Sequence, residues 1–131
     1  MRALYLDSSA FVKVVVDEAE SAELRSFLAA DSARRVSSAL LRTEALRAVR
    51  HLGSDALANV RHGLRRVDLV AIDDRILESA GSLEPQVLRT LDAIHLATAL
   101  AVGEDLVGVV TYDERMATAS RLLGLRTLMP S

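Results

Sequence analysis

Short apolar runs alternate along this chain with longer stretches in which apolar residues recur every three or four positions. Ala3-Leu4-Tyr5-Leu6 predicts a buried strand ending at Asp7. Ser8 or Ser9 can then cap a helix through Val16, although the Val14-Val15-Val16 run also suits a strand. Glu20 to Ala30 predicts a helix with Leu24, Phe27 and Leu28 on one face, and Arg35-Val36-Ser37 a short strand. Ala39 to Leu52 is amphipathic, with Leu41, Ala45, Ala48, Val49 and Leu52 at helical spacing and Gly53 as a stop. Ser54-Asp55 can open a helix to about Arg66. Val67 to Ile72 predicts a third strand, and Asp73 can cap the helix that follows. After a break from Gly81 to Pro85, Thr90 opens a helix that is apolar nearly all round, the pattern of a buried central helix. Leu106 to Val110 predicts a strand, Asp113 to Leu123 a helix and Leu125 to Met129 a last strand. Strands separated by helices imply parallel pairing through right-handed crossovers, hence an α/β fold: a three-layer α/β/α sandwich with a mostly parallel central sheet.

At 131 residues, the chain is the size of one domain, 1–131, with one core. Half the residues are apolar and 26% are charged, the balance of a folded globular protein. There is no cysteine, which excludes disulfides, thiolate catalysis and sulfur-ligated metals and suits a reducing compartment. The opening apolar run stops too soon for a signal peptide. The most apolar later stretch, Ala93 to Val102, falls short of the ~20 residues a bilayer requires. A cytoplasmic protein with no membrane partner is expected.

The net charge of −2 does not mark a general nucleic-acid binder. Between Arg42 and Arg66, however, six arginines (42, 47, 50, 61, 65 and 66) face only two acids, Glu44 and Asp55. Such a run also fits a solvated helical face. The only lysine is Lys13, and arginine suits phosphate because guanidinium binds oxyanions bidentately.

Four acids stand at informative places. In an open parallel sheet, ligands bind beyond the carboxyl ends of the strands. Asp7 follows the first predicted strand directly and Asp113 lies just past the fourth, though either could simply cap the next helix. Glu44, at about 100° per residue, lies roughly 60° from Leu41 and 40° from Ala48, on the margin of the apolar stripe. It can equally be a boundary residue paired with an arginine. Asp92 sits in the first turn of the apolar helix, where the helix dipole favours a negative charge. It shares a face with His95, which more often than not would be a satisfied core histidine. Carboxylates gathered at one sheet edge would repel one another, with raised pKa values, unless a cation lay among them. A hard divalent ion, Mg²⁺ or Mn²⁺, resolves that repulsion and supports metal-assisted phosphodiester hydrolysis.

These segments resemble PIN-domain nucleases, and the size is similar to that of the VapC toxins of type II toxin–antitoxin pairs. Leu6-Asp7-Ser8-Ser9-Ala10-Phe11-Val12-Lys13 resembles the opening motif, and Ser38-Ala39-Leu40-Leu41-Arg42-Thr43-Glu44 the second acidic segment. Arg89-Thr90-Leu91-Asp92-Ala93-Ile94-His95-Leu96-Ala97-Thr98-Ala99 is similar to the most characteristic segment, and Val110-Thr111-Tyr112-Asp113-Glu114-Arg115-Met116 to the last. The acids fall in the same order, 37, 48 and 21 residues apart. The resemblance implies a Mg²⁺- or Mn²⁺-dependent endoribonuclease that hydrolyses RNA with a metal-activated water, leaving a 5′-phosphate and a 3′-hydroxyl. It further implies a cognate antitoxin as partner and a homodimer. By carry-over, Asp7, Glu44, Asp92 and Asp113 are the catalytic and metal-holding residues, with Thr111 in support.

Arg42, Arg47 and Arg50 are candidates for contact with the RNA backbone, since phosphate contacts position without specifying sequence. Only four aromatics exist (Tyr5, Phe11, Phe27 and Tyr112), so base stacking is poorly supplied. Rival enzymes lack their residues. A dehalogenase-like phosphatase needs an aspartate where Ser9 stands, a P-loop needs a Gly-Lys-Ser/Thr ending, and a receiver domain needs a lysine after a late strand. A PIN-like module that binds without cutting, or a DNA nuclease of the same fold, is the alternative.

Overall fold

β1 (Ala3–Leu6) is apolar at every position and buried at every position, because it is the middle strand of a five-stranded sheet ordered β3-β2-β1-β4-β5. The computed structural model describes residues 1–131. The remaining strands are β2 (Arg34–Ser38), β3 (Asp68–Val70), β4 (Leu106–Val110) and β5 (Thr127–Leu128), and every pairing is parallel. Tyr5 stands between Val36 of β2 and Val109 of β4.

Alternation along β1 sorts the helices into two layers. Leu4 and Leu6 pack with Ala10, Leu24 and Leu28 from α1 (Ser8–Val15) and α2 (Ser21–Ala30). Phe11 of α1 joins Leu41, Ala45 and Val49 of α3 (Leu41–Val49) and Val60 and Leu64 of α4 (Ser54–Leu64) on the same side. On the other side, Ala3 and Tyr5 pack with Ala99 of α6 (Thr90–Val102). Ile76 of α5 (Asp74–Gly81) and Met116 of α7 (Glu114–Leu122) hold α6 through Ile94 and Leu96. The expected three-layer sandwich is the observed one, and α6 is buried without a break from Ala93 to Ala99.

Several local expectations change. Neither Ser8 nor Ser9 caps α1; Asp7 does, accepting the Ala10 N–H at 3.0 Å. Helix prevails over strand at Val14 and Val15, because Val12 and Val15 pack on the Phe11 cluster only in helical phase. The apolar stripe of α3 is narrower than expected: Leu41, Ala45 and Val49 are buried, while Ala48 and Leu52 face solvent. The helix tightens into a 3₁₀ turn at Arg50–Leu52 and stops at Gly53, whose φ of 98° favours glycine. β3 and β5 are shorter than their apolar runs because each is an edge strand with one neighbour. No helix is long and apolar enough to cross a membrane.

Candidate active site

The polypeptide leaves the sheet at Asp7, whose N–H still reaches the Val110 carbonyl at 3.3 Å. That bond fixes the Asp7 backbone against β4, and the carboxylate turns over the first turn of α1. It is 3% exposed and fully engaged. Oδ1 accepts from the Ser9 hydroxyl at 2.7 Å and the Ala10 N–H at 3.0 Å, and Oδ2 accepts from the Thr111 hydroxyl. Burial pushes the Asp7 pKa above the ordinary carboxylate value, and the Thr111, Ser9 and Ala10 donors offset this only in part.

Thr111 joins two strand ends. Its oxygen also accepts the Asp113 N–H at 3.1 Å, and Ser9 Oγ accepts the Tyr112 N–H at 2.9 Å. Asp113 in turn caps α7, with Oδ1 accepting the N–H groups of Arg115 and Met116 at 2.8 and 3.2 Å. Its Oδ2 faces Arg89 Nη2 at 3.7 Å, and Arg89 Nε lies 3.3 Å from Asp92 Oδ2. One guanidinium therefore bridges Asp92 and Asp113.

Glu44 lies in the first turn of α3, at the carboxyl edge of β2. Its Oε1 accepts from the Ser8 hydroxyl and from His95 Nε2, which is 2.6 Å away. Burial pushes the Glu44 pKa up, but the His95 hydrogen bond, the His95 charge and the Ser8 hydroxyl together hold it below the ordinary value. An ionised Glu44 can only accept, so Nε2 of His95 carries a proton. Behind it, Nδ1 of His95 is 2.7 Å from the Tyr5 hydroxyl. Burial pushes the Tyr5 pKa up, which keeps the phenol protonated. The row Tyr5–His95–Glu44–Ser8 thus runs from the core to the residue beside Asp7.

All four sequence-identified acids consequently stand at one edge, and Thr111 bonds to the first of them. The expectation of mutual repulsion raising their pKa values is not what the site displays: the Asp7 shift comes from burial, and Glu44 is shifted down. Each acid is engaged by its own partner, and no three acidic or histidine side chains form a group that could hold a metal ion as they are placed. The donor set itself is all carboxylate oxygen, the set a hard cation prefers. Glu44 Oε2 and Asp92 Oδ1 take no hydrogen bond from the protein and remain available.

His95, expected to be a satisfied core histidine, is indeed buried and bonded on both nitrogens, yet one of those bonds holds a candidate site residue. The Asp92/His95 spacing was its signal. Ser8 gave none, because Glu44 lies on another element; Ser9 and Arg89 bond acids two and three positions away, Asp7 and Asp92, but reach Tyr112 and Asp113 only through the fold. Of the RNA-contact candidates, Arg42 shares a surface depression with Arg61 and Arg65 of the α3–α4 pair. Arg47 and Arg50 are exposed.

Comparison with known proteins adds four findings. A family model described as PIN domain matches residues 4–122. Ribonuclease VapC46 of Mycobacterium tuberculosis (strain ATCC 25618 / H37Rv) is 50% identical over 131 residues, covering 100% of both chains. Ribonuclease VapC35 of the same strain is 38% identical over 130 residues, covering 97% of this chain and 96% of its own. Among solved structures, Mycobacterium tuberculosis VapC20, a sarcin-ricin loop cleaving toxin, superposes with a TM-score of 0.76 at 16% identity, covering 97% of this chain and 99% of that one. At that identity the likeness concerns the fold.

Proposed function

This chain belongs to the PIN-domain family and within it to the VapC ribonucleases, and from that membership we propose that Asp7, Glu44, Asp92 and Asp113 form the active site of a toxin endoribonuclease that uses Mg²⁺ or Mn²⁺. The supporting observation is the bonded row at one sheet edge: Thr111 bonds the Asp7 carboxylate and the Asp113 N–H, Arg89 bridges Asp113 and Asp92, and Glu44 bonds Ser8, the residue beside Asp7. A cytoplasmic homodimer restrained by a cognate antitoxin belongs to the same reading.

A divalent cation held by these carboxylates would polarise a phosphoryl oxygen and lower the pKa of a water molecule. The chain's own residues prepare that chemistry. Thr111, Ser9 and the Ala10 N–H fix the Asp7 carboxylate in one orientation. His95 and Ser8 keep Glu44 ionised and immobile. Arg89 bridges Asp92 and Asp113 and offsets part of their charge, so a cation entering between them competes with its guanidinium. Arg42, Arg47 and Arg50 supply positive charge for the RNA backbone.

Incubation of the purified chain with single-stranded RNA and with DNA of the same sequence tests this. RNA cleavage is expected, abolished by EDTA and restored by Mg²⁺ or Mn²⁺, with DNA left intact. Cleavage that survives EDTA removes the metal from the account, and RNA that is bound but uncut makes the chain a binding module.

A further inference from the structure

Between α1 and α4, on the face of the sheet they cover, an open cavity of about 240 Å³ has Arg35, Asn59, His62 and Arg66 as its polar lining. Arg35 is the unusual member. It is the second residue of β2, paired with Leu4 of the central strand β1 and one position before the pairing with β3 begins, at a point where a parallel sheet more often carries an apolar residue. Its guanidinium is half-buried. Burial and the nearby positive charge of Arg66 both disfavour its charged form, Arg66 being the lesser of the two.

No carboxylate answers either charge. Neither Arg35 nor Arg66 is among the ion pairs of the chain, and the neighbouring acid Asp68 is committed to Arg34 at 3.3 Å. A snorkelling arginine would turn its head to open water. The Arg35 side chain is part-buried and lines an open cavity together with a second arginine, a histidine and an asparagine, all three of them exposed. Part-burying one cation near another disfavours its charged form, and such breaches of local rules concentrate at functional positions.

We propose that Arg35 and Arg66, with His62 and Asn59, bind a phosphate group at a site separate from the acidic edge. An oxyanion relieves the repulsion and takes the paired N–H groups of guanidinium bidentately. The cavity is smaller than the usual range for drug-sized ligands, roughly 300–1,000 Å³, and so suits a phosphate group better than a large molecule. The phosphate can come from a free phosphate-bearing molecule or from an RNA backbone. The second source rests on the ribonuclease reading, the first does not.

Two arms decide. In the first, the thermal midpoint is measured against inorganic phosphate, with chloride at matched ionic strength, for the unaltered chain, Arg35→Gln, Arg66→Gln and the control Arg121→Gln. Phosphate is expected to stabilise the unaltered chain and the control, with apparent affinity about tenfold weaker in the two cavity variants. In the second, binding of a short RNA is measured in EDTA over a range of salt. A backbone contact lowers affinity in both cavity variants and reduces the salt slope by about one. Loss in the phosphate arm alone assigns a free ligand, and loss in the RNA arm assigns the backbone. Cavity variants that match the unaltered chain in both arms overturn the site. Arg66 is exposed, so its variant stays informative if Arg35→Gln fails to fold. RNA that is bound but never cut would contradict the nuclease reading while leaving both arms readable.

Discussion

Asp7→Asn is expected to cut RNA cleavage about a hundredfold or more while leaving the protein more stable at neutral pH than it was. The loss follows from removing a fixed negative charge from the centre of the reacting site, an effect of the size seen when one electrostatic partner is deleted from an active site. The gain follows from burial. The Asp7 carboxyl is 3% exposed and titrates above its ordinary value, so the folded chain binds this proton more tightly than the unfolded chain does. Stability from this group is therefore present at low pH and is lost as pH rises from the ordinary carboxylate value, about 4, through the raised one. Asparagine keeps a cap oxygen for the Ala10 N–H and has no charge to bury. The midpoint difference between variant and unaltered chain should widen with pH over that window. A variant that unfolds earlier at neutral pH, or that cleaves normally, contradicts the role given to Asp7.

The second large effect is expected at His95. His95→Ala strands the Tyr5 hydroxyl in the core and leaves a cavity in α6, which together should cost about 3 kcal/mol. For a domain of this size that lowers the thermal midpoint by about 10 °C. Activity should fall as well, because Glu44 loses the bond and the charge that hold its pKa down. In the unaltered chain Glu44 contributes stability above the ordinary carboxylate value, and that contribution is lost as pH falls through its depressed folded value. Without His95, burial acts on Glu44 almost alone, and the acid limb of the cleavage profile should move to higher pH. A purely structural histidine would lower the midpoint without moving that limb, so the pH profile separates the two roles.

Much of this architecture was legible in the sequence, for identifiable reasons. β1 and β4 are short runs of apolar residues that end at Asp7 and just before Asp113, and a central parallel strand needs an apolar face on both sides. The α6 segment is apolar all round, and it is buried all round from Ala93 to Ala99. The four acids could be proposed because each follows a strand end or opens a helix at that edge. Of the partners that hold them, Thr111 alone was expected, and only through the family resemblance. Arg89 reaches Asp113 across 24 positions and Thr111 reaches Asp7 across 104, and no local periodicity encodes such pairs. The cap of α1 was left between Asp7 and the two serines after it, and only the fold reveals that Asp7 takes it while Ser8 and Ser9 bond Glu44 and Asp7.

Whether the four acids act as one cation site can be measured without RNA. Mn²⁺ is titrated calorimetrically into the unaltered chain and into Asp7→Asn, Glu44→Gln, Asp92→Asn and Asp113→Asn, each checked for folding by circular dichroism. Saturable binding that weakens about tenfold or more in every variant is the expected result, the size of a single lost charged ligand. Affinity that is the same in all five proteins contradicts it.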